Sequence, residues 1–255
     1  MLALVALFAC TSDPAVDDTS TADTSTADTG DEVLEVCEQA QRFYAGCEGS
    51  SVDSRGISGT YRYDDQGRLV EYNSQGLGFV YSYGEHGISE LRTSQDGVQT
   101  GVSTYVYEDG LLVEIQGDFG EYQELQTRAY DDQRRLVRTE WDYDHDGSVE
   151  LVVERAYVEG GYIDTSSHGP VTEFTLHDSF PDRVVKQVVT IDDVVHTTTT
   201  TEWREDCQRG SVRGEHKDPR SDYTLYFDYD AASRVELEDG VSENPWSTSW
   251  TWSCE

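Results

Sequence analysis

One short pattern returns along most of the chain and restricts what it can fold into. Two aromatic or apolar residues stand two apart, Asp follows, then a bend rich in Asp, Gln and Gly, then an apolar return. The first copy is Tyr61-Arg62-Tyr63-Asp64-Asp65-Gln66-Gly67-Arg68-Leu69-Val70-Glu71. Others run Tyr81-Ser82-Tyr83-Gly84-Glu85-His86-Gly87-Ile88, Tyr105-Val106-Tyr107-Glu108-Asp109-Gly110-Leu111 and Ala129-Tyr130-Asp131-Asp132-Gln133-Arg134-Arg135-Leu136. Trp141-Asp142-Tyr143-Asp144-His145-Asp146-Gly147 and Phe227-Asp228-Tyr229-Asp230 extend the series, with fainter copies around Tyr157, Leu176 and Trp203. The aligned aromatic falls at 63, 83, 107, 130, 143, 157, 203, 229 and 252.

Each copy reads as a β-hairpin. Tyr61 and Tyr63 share one face of a strand and Arg62 takes the other. Asp64 suits the first position of a type I turn, and Gly67 can adopt the left-handed conformation that closes it as a bulge. Leu69 begins the returning strand, and Val188 to Thr201 reads as another hairpin bending at Asp192-Asp193. Unequal spacing argues for hairpins of different lengths rather than a strict solenoid. A lone hairpin is barely stable, so successive hairpins add into a common sheet whose edges need protection. The expectation is an all-β domain: an antiparallel meander of roughly sixteen to twenty strands in one large curled or barrel-like sheet. A short N-terminal helix over about Glu32–Tyr44 would cover one end.

With Asp64, Gly67, Arg68 and Leu69 as its best matches, the unit resembles the YD repeat of RHS-type bacterial surface and toxin-shell proteins. Arg134 stands at the turn glycine in the fourth copy and Ser233 in the last. The resemblance implies hairpin architecture and says little about activity. The chain is too short to enclose a toxin as large RHS shells do.

Ahead of the repeats, residues 1–9 (MLALVALFA) are almost wholly apolar and end at Cys10. Leu7-Phe8-Ala9-Cys10 resembles a bacterial lipobox, which implies cleavage before Cys10 and acylation of its thiol. The competing reading is a buried strand that ends in Cys. The segment after Cys10 disfavours it: residues 11–32 hold two copies of TSTAD, seven carboxylates and no basic residue. Such a segment buries too little to offset its ordering entropy and acts as an acidic tether. The division expected is a signal peptide at 1–9, lipidated Cys10 with its tether at 10–32, and one β domain at 33–255. That layout places the protein in the bacterial cell envelope, in contact with a lipid bilayer through acylated Cys10. Thr11 after the Cys is, by resemblance, compatible with the outer membrane.

Cys37, Cys47, Cys207 and Cys254 are an even set in an exported chain, which favours two disulfides over metal ligation, since no CxxC pair exists. Three connectivities are open. Cys37–Cys47 with Cys207–Cys254 is favoured on condition that the helix stops near Tyr44, because ten helical residues span ~15 Å and a disulfide needs far less.

The sharpest site candidate is Asp142-Tyr143-Asp144-His145-Asp146-Gly147-Ser148-Val149-Glu150, with the D-x-D-x-D-G spacing of a calcium loop. Val153 stands where an EF-hand carries its bidentate Glu, so Glu150 or Glu154 would substitute. The plainer alternative is one more repeat turn that is richer in Asp. Trp246, Trp250 and Trp252 share a face of the last strand. They either fill the core beside Cys254 or stack on sugar rings, and Ser and Thr on the opposite face favour the core. No HExxH, GxSxG, GxxxxGK[ST] or strand-to-helix GxGxxG is present. With 51 Asp+Glu against 18 Lys+Arg, a nucleic-acid partner bound through a basic surface is excluded. The expectation is a monomeric, non-catalytic surface or periplasmic module that requires no cofactor and binds an envelope protein or glycan. The alternative is a calcium-dependent carbohydrate-binding module.

Overall fold

The computed structural model describes residues 44–53, 56–178, 183–204, 208–218, 221–229, 235–241 and 246–254. The expected signal, Cys10, tether, Cys37 and nearly all of the expected helix lie outside them. Tyr44, its last residue, opens a turn.

Among the described residues eighteen strands succeed one another, all antiparallel. They are β1 (Cys47–Asp53), β2 (Ser58–Tyr63), β3 (Leu69–Ser74), β4 (Leu77–Tyr83), β5 (Ile88–Gln95) and β6 (Val98–Glu108). Then come β7 (Leu111–Asp118), β8 (Gln123–Tyr130), β9 (Leu136–Asp142), β10 (Leu151–Val158), β11 (Gly161–Ser166) and β12 (Val171–Leu176). The last are β13 (Val184–Ile191), β14 (Val194–Trp203), β15 (Arg209–His216), β16 (Tyr223–Tyr229), β17 (Val235–Val241) and β18 (Trp246–Cys254). Each pairs with its neighbours in sequence, and β1 also pairs with β18 from Cys47↔Cys254 to Asp53↔Thr248. The ladder therefore returns to its first strand, which removes the two edges that an open meander would expose.

The Cys47–Cys254 disulfide sits on that seam, 207 residues apart in sequence. This corrects the pairing favoured from sequence. Cys47 starts the first strand and Cys254 ends the last, so ring closure, not chain proximity, selects the partner. Cys37 and Cys207 lie outside the described residues.

Because strands alternate direction, the turns divide between two rims. One rim carries the repeat turns, and there the motif behaves as its residues dictate. Asp64 accepts at Oδ1 from the backbone N–H groups of Gln66 and Arg68, both at 2.9 Å, and its carbonyl accepts from Gly67 N–H at 2.9 Å. Gly67 takes φ 77°, and the register slips between Arg62 and Tyr63, as expected of a turn with a bulge. Asp131 repeats these bonds, with Arg134 at φ 64° in place of the glycine.

Hairpins are stitched together at this rim by the repeat aromatic. Pairing between β3 and β4 stops at Glu71↔Val80, short of the rim, and Tyr83 Oη donates to Leu69 O at 2.8 Å across the gap. Tyr107 to Ile88 O (3.1 Å), Tyr130 to Leu112 O (2.8 Å) and Tyr229 to Arg209 O (2.8 Å) do the same. Trp203 Nε1 to Val184 O and Trp252 Nε1 to Val235 O complete the set. Arginines from four of these turns lie over the aromatic of the next hairpin: Arg68 on Tyr83, Arg135 on Tyr157, Arg183 on Trp203 and Arg204 on Tyr229. The repeat therefore has two halves, an Asp that shapes its own turn and an aromatic that satisfies the preceding hairpin's splayed carbonyl.

The two faces differ sharply. Tyr61, Tyr72 and Phe79 form an inward row, and Tyr61 also meets Trp250. Glycines make room for these rings: a methyl at Gly49 would sit 2.2 Å from Trp252, its cross-strand partner, and one at Gly214 would sit 2.3 Å from Tyr223. The outward face carries ion pairs in mid-strand, among them Arg62–Glu71, Arg92–Glu90, Arg138–Glu154 and Arg213–Glu215. Val52, Val80, Val158 and Tyr226 are exposed between these pairs, yet arginines in mid-strand differ from the apolar outer band of a membrane-embedded barrel, where Arg or Lys at mid-depth costs about 2–4 kcal/mol. Among the described residues no helix is long and apolar enough to cross a membrane.

Eighteen strands ~4.8 Å apart and tilted ~40° give a backbone ring roughly 36 Å across if round, too wide for side chains to fill. The burial agrees. Among the described residues the buried apolar set is Cys47, Tyr61, Ile88, Leu112 and Val212, while most inward aromatics stay partly exposed to a lumen.

Candidate functional site

The expected calcium loop joins β9 to β10 at the rim opposite the repeat turns. Tyr143 therefore does not belong to the stitching series: it stands past the end of an odd strand, and 39% of it is exposed. Without it, every aligned position closes an even strand, with Leu176 standing in on β12. The plainer reading of this loop as another repeat turn does not hold.

Four carboxylates converge here. One oxygen each from Asp142, Asp144, Asp146 and Glu150 lies within 4.8 Å of the other three. Backbone amides fix their directions. Asp142, the one buried member, accepts from Asp146 N–H at 3.1 Å and Gly147 N–H at 2.8 Å. Asp146 accepts from Ser148 N–H at 2.8 Å, and Glu150 from Tyr143 N–H at 2.7 Å. Gly147 at φ 93° and His145 at φ 55° supply the sharp bend. Hydrogen bonding from Ser148 holds the Asp146 carboxyl below its usual range. A set of oxygen donors carrying four negative charges, with a free oxygen on Asp144, Asp146 and Glu150, fits a hard divalent cation such as calcium.

Two exposed tyrosines flank the loop. Tyr122, between β7 and β8, is 42% exposed and its hydroxyl donates to Glu124 at 3.3 Å. Slight desolvation and then the neighbouring Glu124, Tyr143 and Asp144 raise its pKa, which places it beside the loop. Local sequence gives no sign of this, because Tyr122 and Asp144 meet only through the β7–β8–β9 register.

The tryptophan row packs inward. Trp250 stacks on Trp252 with centroids 5.7 Å apart, and Trp252 meets Tyr44 edge-on at 5.0 Å. Tyr44 Oη in turn accepts from Val235 N–H at 2.9 Å and its ring stacks on Tyr63, so the chain entering β1 is tied to the seam. These contacts match the core reading for Trp250 and Trp252; the side chain of Trp246 lies outside the described residues. Histidines stay scattered, as in the sequence.

No family model and no curated protein matches the chain. Among solved structures it is similar to a porin-like protein from Bacteroides uniformis, at TM-score 0.46 and 12% identity, covering 81% of this chain and 96% of that one. A porin-like protein from Bacteroides vulgatus gives 0.43 and 10%, covering 82% and 98%. The Tc holotoxin pore of Photorhabdus luminescens gives 0.22 and 10%, covering 75% of this chain and 15% of that one.

Proposed function

We propose that the chain is a bacterial lipoprotein of the YD-repeat type, held to the outer membrane by acylated Cys10 on its acidic tether. Its barrel is a non-catalytic binding or structural module of the cell envelope and works as a monomer. One observation carries this reading. The outward wall carries ion pairs in mid-strand among its exposed valines, which favours a barrel that stands in water and reaches a bilayer through an anchor elsewhere. The repeat supports the non-catalytic part, since Asp64 and Asp131 are engaged in turns and Tyr83, Tyr107, Tyr130 and Tyr229 in stitches. Metabolic labelling with a tagged fatty acid tests the anchor: wild type takes the label and Cys10→Ser does not. An unlabelled wild-type protein in the soluble fraction rejects it. Proximity cross-linking on intact cells then names the envelope partner, protein or glycan.

A second reading is favoured by the acidic rim. Converging carboxylates beside two exposed tyrosines support a calcium-dependent carbohydrate-binding module, the ion held by Asp142, Asp144, Asp146 and Glu150 and the rings of Tyr122 and Tyr143 offered to sugar. At calcium one hundred times its Kd the fold should gain about 2.7 kcal/mol. An unfolding midpoint indifferent to calcium and chelator removes this reading, as does a blank glycan array.

A further inference from the structure

Arginine is scarce in this acidic chain, and the described arginines are nearly all engaged. Arg62, Arg68, Arg92, Arg135, Arg138, Arg155 and Arg213 meet carboxylates. Arg134 donates to Asp109 O, and Arg183, Arg204 and Arg209 lie over aromatic rings. Arg128 differs. It points from β8 into the lumen, its Nε is buried without a hydrogen-bond partner, and its guanidinium makes no ion pair among the described residues. An unpaired cation in a part-buried position is costly, and a protein with 51 carboxylates has no shortage of partners to place there.

Its surroundings are those of a site. Directly opposite on β9 is the buried hydroxyl of Thr139, and the next inward residue on β8, Gln126, faces Trp141. Trp141 is thus the diagonal neighbour of Arg128, roughly 7–8 Å away between backbones and within reach of a long side chain. On the other side, Tyr105 and Tyr107 of β6 lie close enough for Arg128 to offset part of the rise that burial imposes on their phenols. Glu124, further along the same face of β8, adds to the rise at Tyr105 and leaves the Arg128 end as the cationic end of the patch. Tyr107 is occupied by its stitch to Ile88, whereas Tyr105 makes none. A planar cation, an amide, a hydroxyl and two flat rings therefore share one patch of the inner wall.

We propose that Arg128 anchors a carboxylate-bearing ligand on the lumen wall, with Gln126 and Thr139 hydrogen-bonding it and Trp141 and Tyr105 covering its flat or sugar-ring body. Guanidinium binds carboxylate through two parallel hydrogen bonds, which gives strength and direction together. This site lies inside the barrel, apart from the acidic rim, and stands whether or not that rim takes calcium or Cys10 is acylated.

Calorimetric titration of the intact barrel with glucuronate, benzoate and glucose tests it. Saturable binding of at least one carboxylate, no binding of glucose, and at least a tenfold loss in Arg128→Gln are expected. The variant should keep the wild-type circular dichroism and an equal or higher melting temperature, since it removes an unpaired charge. No saturable carboxylate binding to wild type overturns the proposal. So does glucose binding as well as glucuronate, equal affinity in the variant, or unfolding of Arg128→Gln, which would make the guanidinium structural.

Discussion

The two rims of the barrel are built from the same kind of hairpin yet are finished differently. At the aromatic rim Asp64 and Asp131 shape their turns, six tyrosine or tryptophan tips bridge neighbouring hairpins, and four turn arginines lie over those aromatics. The disulfide, Tyr44 and both ends of the ring meet there. At the acidic rim short turns such as Gln75-Gly76, Asp96-Gly97 and Asp192-Asp193, with positive φ at both positions, close the strands. There the bridges between hairpins are made by backbone and serine groups, as in Asp96 N–H to Gly76 O and Ser74 Oγ to Ser58 O, rather than by aromatic tips. The difference teaches that one rim carries the aromatic stitches and the disulfide seam, and the other presents the carboxylate loop and its tyrosines.

Breaking the seam is expected to have the largest effect. Replacing Cys47 and Cys254 by Ser should cost about 2–5 kcal/mol in denaturant unfolding, because the bridge closes nearly the whole barrel. Peptide mapping without reductant should recover Cys47 joined to Cys254 and never to Cys37. Next comes Gly49→Ala, whose methyl would collide with Trp252; overpacking of this kind costs about 1–3 kcal/mol. Tyr83→Phe or Tyr130→Phe should each lose about 1 kcal/mol, the worth of one stitch. Tyr143→Phe at the opposite rim should stay within about 0.5 kcal/mol, as an exposed ring would. Equal losses at the two rims would erase the distinction.

A smaller effect is expected from pH. Burial, opposed in part by Arg68, pushes Tyr83 up to about 12, and burial raises Tyr63 further. Unfolded tyrosine titrates near 10, so the folded form holds its protons longer. Both contributions are complete below pH ~10; that of Tyr83 is lost as pH rises through about 12 and that of Tyr63 at still higher pH. Alkaline unfolding should therefore begin in that window, and Tyr83→Phe should weaken its pH dependence. An unchanged profile in the variant would mean the stitched rim is not what titrates.

Much of this design is legible in the residues. Tyr61-Arg62-Tyr63-Asp64 through Gly67 encodes strand face, turn and bulge locally, and Asp192-Asp193 marks its hairpin, because turn chemistry depends on neighbours in sequence. The spacing Asp142-Asp144-Asp146-Gly147 likewise foretells that its carboxylates converge with Glu150. Three features were hidden. The Cys47–Cys254 pairing depends on ring closure between the two ends of the domain, which no local pattern encodes. Tyr143 carries the same Tyr-Asp signature as the stitching residues, and only strand parity shows that it faces the other rim. Arg128 and Tyr122 acquire meaning through register across three strands.

Native-state amide exchange of the oxidised protein tests the closed ring most directly. If the repeat knits a continuous ring, amides of β1 and β18 that face each other across the seam exchange as slowly as those of β5 and β6. If one side of β1 and one side of β18 exchange at the rate of open edges while β5 and β6 stay protected, the ring does not exist and the account fails.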